Sequence, residues 1–127
     1  MPARTPEELG QLLMQALNAG DVDGVVQLYE AESVLHPSPG QIVRGTSAIR
    51  QAIAGFAAIN PTMTLTAKSL GQVDDIALTT ARWELKGTGP NGEPVELAAQ
   101  SVEVARRQTD GTWRYLIDSP WGQQWEA

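Results

Sequence analysis

The apolar residues of this chain change their spacing at Asn60-Pro61. Before that point they recur every three or four residues. After it they recur every second residue, so helices come first and strands follow. A chain written this way is expected to fold as α+β, with helices and sheet segregated, and not as alternating βαβ units on a parallel sheet. Its 127 residues suffice for one domain and are too few for two ordinary ones, so residues 1–127 are read as a single domain.

Thr5-Pro6-Glu7-Glu8 opens the first helix: Thr5 caps, Pro6 suits the first helical position, and Glu8 stands where a capping box places its acid. Leu9, Leu12, Leu13, Ala16 and Leu17 then form one apolar stripe, and Gly20 ends the helix. Asp21 to Glu30 reads as a second helix, because Val22, Val25, Val26 and Tyr29 share a face. Glu32 to His36 reads as a short strand and Gln41 to Arg44 as its partner across the Pro37-Ser38-Pro39-Gly40 turn. Thr46 is placed as the cap of a third helix with Ile49, Ala52, Ile53, Phe56 and Ala57 buried, halted at Asn60-Pro61. Four strands follow, over residues 62–70, 76–87, 95–107 and 112–121, joined by Asp74-Asp75, Gly89-Pro90-Asn91-Gly92 and Asp110-Gly111. Short turns make these strands antiparallel neighbours. Long strands coil, so the predicted shape is a cone: a highly curved sheet wrapped around three helices, with room for a pocket where they fail to meet.

Composition removes several classes of function. Nine Lys and Arg against fifteen Asp and Glu give a formal charge of −6, the wrong sign for a nucleic-acid binder or an anionic membrane surface. With no cysteine and one histidine, thiolate chemistry and Cys- or His-rich metal sites are excluded, and neither metal nor cofactor is expected. No apolar stretch has the length of a signal peptide core or a membrane span, so a cytoplasmic location is expected.

The run Leu17-Asn-Ala-Gly-Asp-Val-Asp-Gly-Val-Val-Gln-Leu-Tyr29, then Ser33-Val-Leu-His-Pro37 and Arg44-Gly-Thr-Ser-Ala-Ile-Arg50, resembles the nuclear transport factor 2-like superfamily, in particular its SnoaL-like and ketosteroid-isomerase-like branch. The resemblance spans nearly the whole chain and implies the cystatin-like cone. It implies little about reaction, because this fold hosts isomerases, cyclases, dehydratases and non-catalytic domains. Ketosteroid isomerase uses an Asp base and an oxyanion hole of a Tyr and a protonated Asp. In this chain the base position carries His36, the helix tyrosine position carries Leu13, and the protonated-acid position carries Glu103. Leu13 has no donor to offer, so poor turnover of a steroid is expected.

His36 has the pKa range of a general base, and the resemblance turns it toward the cavity; the plainer reading is a half-exposed strand end. Glu103 shares a strand face with Ala99, Ser101 and Ala105, which lines either a ligand cavity or a wet outer surface. The resemblance implies the cavity. Asp118, in Ile117-Asp-Ser-Pro-Trp121, either caps a turn or stands at the pocket mouth. Two registers are open for the strand through Arg82, Trp83 and Glu84: one turns Trp83 inward, the other brings Arg82 to Glu103. His36, Glu103 and Asp118 are therefore the candidate catalytic residues. Leu13, Leu17, Tyr29, Phe56, Trp83, Ser101 and Trp121 are the candidate ligand contacts. The expected function is binding of a small, largely apolar organic molecule. Catalysis would be isomerase- or polyketide-cyclase-like proton transfer next to a carbonyl, with His36 as base and Glu103 as donor. The alternative is a non-catalytic binding or association domain. Apolar residues such as Val102 and Val104 on the outer sheet face imply a homodimer.

Overall fold

The computed structural model describes residues 2–122. Helix α1 (Pro6–Asn18) starts as its sequence dictates, with the Thr5 hydroxyl accepting from the Glu8 N–H at 3.3 Å. Its end is fixed by Asn18, whose side-chain amide donates to the Met63 carbonyl at 3.0 Å and accepts from the Met63 N–H at 2.6 Å. That amide satisfies an edge strand's backbone and seats the helix over the sheet.

Helix α2 (Val22–Val26), capped by Asp21 at 2.9 Å to the Gly24 N–H, is shorter than its apolar period predicts. The chain leaves the helix at Gln27, and Tyr29 opens strand β1 (Tyr29–Leu35). The Tyr115 N–H donates to the Leu28 carbonyl at 2.7 Å, so pairing with a distant strand overrides the local helical spacing. Strand β2 is only Val43–Arg44. Helix α3 (Thr46–Ala57) is capped by Gly45 at φ 91°, not by Thr46, which is its first helical residue. The left-handed dihedral there excludes most side chains.

Strands β3 (Thr62–Val73), β4 (Ile76–Thr88), β5 (Pro94–Arg107) and β6 (Trp113–Ser119) complete one six-stranded sheet in the order β2-β1-β6-β5-β4-β3. Every neighbouring pair is antiparallel except β1 and β6, which are parallel. Strands of this length coil, and the concave side receives α1 and α3. Leu9, Val25, Leu35, Ile49 and Leu85 are fully buried between the layers. Each such side chain contributes about 1.5–3 kcal/mol by leaving water.

The register of β4 turns Ala81 and Trp83 inward and leaves Arg82 and Glu84 exposed, which settles the two registers left open by the sequence. Strand β5 buries Ser101, Glu103 and Ala105. Strand β6 has a register shift opposite Val104 and Ala105. Without it, alternation from Trp113 and Tyr115 would turn Ile117 inward. With it, Ile117 faces out and Asp118 faces in.

Candidate functional site

Glu103 and Asp118 are paired residues across β5 and β6, and both point to the concave side. They are 6% and 4% exposed. They line a cavity of about 60 Å³ whose other walls are mostly apolar. Leu13 and Leu17 reach it from α1 and Phe56 from α3, while Tyr29, Trp83, Ser101 and Tyr115 come from the sheet and Trp121 from the turn after β6.

Tyr29 enters because it begins β1 opposite Tyr115, their rings 5.3 Å apart. Its hydroxyl donates to Asp118 Oδ2 at 2.5 Å. Glu103 is held from the neighbouring strand, where Thr79 Oγ1 donates to its Oε1 at 2.7 Å. Trp83 donates its indole N–H to the Pro120 carbonyl at 2.7 Å, and Trp121 donates to the Pro37 carbonyl at 3.0 Å. The two indoles meet edge to face at 5.2 Å. These bonds fix the turn Ser119–Gly122 across one end of the cavity.

The electrostatics follow from what is missing among the lining residues: none is Lys, Arg or His. The cations are engaged or exposed elsewhere, Arg106 on Glu30 and Arg107 on Asp75 at the far end of the sheet. Burial therefore disfavours the charged form of both carboxyls. Asp118 is pushed up to about 8, first by burial and then by the negative charge of Glu103, with the Tyr29 hydrogen bond opposing. Glu103 is also raised by burial, and the hydroxyls of Ser101 and Thr79 pull against that. Near neutral pH Asp118 therefore keeps its proton, beside a second carboxyl that burial also holds above its ordinary range. Tyr29 and Tyr115 stay protonated, since burial and the nearby carboxyls raise both phenols well above their usual range.

His36 does not line this cavity. Leu35 takes the inward position on β1, and the next residue turns away: His36 lies in a separate depression of about 300 Å³ with Ser38, Ile42 and Ser119. Its backbone N–H donates to the Asp118 carbonyl at 3.0 Å, and Trp121 lines both the cavity and this depression. The partner of Glu103 is thus Asp118, not His36, and Asp118 caps no turn. Sequence reasoning missed Tyr115, although its alternation with Trp113 marked it as inward-facing.

A family model described as the SnoaL-like domain matches residues 11–116. The chain belongs to the SnoaL-like family. Solved structures carry the same fold. A ketosteroid isomerase-like protein from Erwinia carotovora atroseptica superposes with a TM-score of 0.77 at 19% identity, covering 89% of each chain. A nuclear transport factor 2-like protein with a cystatin-like fold from Novosphingobium aromaticivorans superposes at 0.72 with 16% identity, covering 89% of this SnoaL-like domain and 76% of that chain. A protein of unknown function from Mycobacterium tuberculosis gives 0.75 at 19% identity, over 93% and 69%. At these identities the likeness establishes the fold alone. No curated protein matches the chain in sequence.

Proposed function

We propose that this SnoaL-like domain binds a small, largely apolar carbonyl compound in the cavity and moves a proton next to the carbonyl. The observation that carries the reading is the buried Glu103–Asp118 pair, with Asp118 held by the Tyr29 hydroxyl at 2.5 Å. Glu103, in its ionised form, takes the proton from the carbon beside the carbonyl. The C–H electron pair moves to the oxygen as an enolate. Asp118, the protonated member, donates to that oxygen, and Glu103 then returns its proton to the same carbon or a conjugated one. The total charge stays at minus one throughout, so no second charge builds in a low-dielectric cavity. The name of the Erwinia relative, ketosteroid isomerase-like, supports the same reaction class.

A steroid is not the expected substrate, because Leu13 supplies no donor and the free space of about 60 Å³ is too small. That small volume also favours a second reading, a domain that associates or binds without chemistry. We propose in addition that the domain is a homodimer joined through the outer face of the sheet.

The test is hydrogen–deuterium exchange at the α-carbon of cyclopentanone and related small ketones in D₂O, followed by proton NMR. Exchange above the buffer rate, reduced about 10²- to 10⁴-fold in Glu103→Gln, is expected. Exchange no faster than buffer for every ketone leaves the second reading standing.

A further inference from the structure

Tyr115 stands outside the proton transfer described above. It lines the cavity, and the residue is 4% exposed. Its backbone is pinned on both sides: the N–H donates to the Leu28 carbonyl at 2.7 Å, and the Ser33 hydroxyl donates to its carbonyl at 2.6 Å. Its phenol is another matter. The Tyr29 hydroxyl, on the neighbouring ring, is committed to Asp118, whereas the Tyr115 hydroxyl has no hydrogen-bond partner among the described residues. No sealed-off side-chain polar atom lacks a partner among the described residues, so this hydroxyl reaches open space, and a fixed donor on the cavity wall is placed to meet an acceptor that arrives with a ligand. Burial keeps this phenol protonated, so what it offers is an O–H.

The acceptor's class follows from the walls. Two carboxyls and no cation line the cavity, which disfavours a carboxylate or a phosphate. The small cavity, about 60 Å³, favours a compact molecule. We propose that Tyr115 Oη donates to the oxygen of a small uncharged carbonyl compound and so selects it over an apolar molecule of the same shape. This rests on reading the cavity as a carbonyl site, but it does not require that any proton be transferred there.

Two ring compounds of one shape, cyclopentanone and methylenecyclopentane, separate the possibilities by ligand-observed NMR titration. Wild type is expected to prefer the ketone. Tyr115→Phe should weaken the ketone about 3- to 10-fold and leave the hydrocarbon unchanged. The variant keeps the ring against Tyr29, and the hydroxyl it removes bonds to nothing in the free protein, so its thermal midpoint should match wild type. Equal binding of the two compounds by wild type, no binding of the ketone at millimolar concentration, or an unchanged preference in Tyr115→Phe would overturn the assignment. So would a midpoint several degrees lower, which would show the hydroxyl engaged within the fold. Tyr115-dependent ketone binding without α-carbon exchange would sink the proton transfer and leave the role of Tyr115 intact.

Discussion

Glu103 and Asp118 cost the fold stability, and the sign of that cost is open to measurement. The carboxyl of Asp118 is raised to about 8 in the folded chain, against about 3.9 for a free aspartate. Between those values the folded state holds a proton that the unfolded chain has released. Stability therefore falls as pH rises from about 4 to 8, by on the order of a few kcal/mol, and Glu103, also raised, acts in the same direction. Glu30 is lowered by Arg106 and works the opposite way, but its contribution is lost only in more acidic solution. In Asp118→Asn the amide still accepts from Tyr29 and has nothing to titrate. The thermal midpoint of wild type should drop between pH 5 and pH 8, and that of Asp118→Asn should drop less. Parallel curves would mean that Asp118 is solvated or paired in some other way.

At the scale of elements, the strands owe their site to features that periodicity does not carry. The helix-then-strand order and the hairpin turns were legible from spacing, which also put Ser101 and Glu103 on one face of β5; that this face is the inner one was implied by the resemblance. The end of α2 was not, because Val22, Val25, Val26 and Tyr29 satisfy a helical repeat while the sheet claims Tyr29. Asp118 was a candidate from the sequence, but its inward aim was not legible from alternation, for a related reason. Strict alternation puts it outside, and only the register shift against β5 turns it in. A shift of this kind depends on the partner strand, and one strand's residues do not encode it. His36 was misplaced because the resemblance supplied its role, whereas alternation after Leu35 governs where it points. Glycines give a direct check on the packing. A Cβ at Gly87 on β4 would stand 2.6 Å from the Ile59 carbonyl oxygen, backbone that cannot step aside. Gly55, exposed within α3, has nothing within 4 Å of such a Cβ. Gly87→Ala should destabilise by about 1–3 kcal/mol, and Gly55→Ala should stabilise by about 0.5–1 kcal/mol, in denaturant unfolding.

The whole molecule presents an outer sheet face that a monomer leaves in water. Leu78 pairs with Val104, Val104 with Ile117, and Ile117 with Val34, so one apolar row crosses four strands. Leu78 and Ile117 are each 42% exposed and Val102 is 39% exposed. Contiguous apolar surface of this kind marks an association site. Light scattering after size exclusion should give twice 13.7 kDa for wild type and a single chain mass for Ile117→Lys; a monomeric wild type would remove the dimer. On the other side of the same sheet, the cone closes around two carboxyls that burial holds above their ordinary range, and the proposed chemistry needs them to share a proton. Carbon-13 NMR titration of the Asp and Glu side-chain carboxyls tests that directly. One carboxyl should titrate near 8, be absent in Asp118→Asn, and move to lower pH in Glu103→Gln, where the neighbouring charge is gone and burial alone remains. A wild-type protein in which every carboxyl titrates below about 5, the ordinary range, would contradict the shared proton and the chemistry built on it.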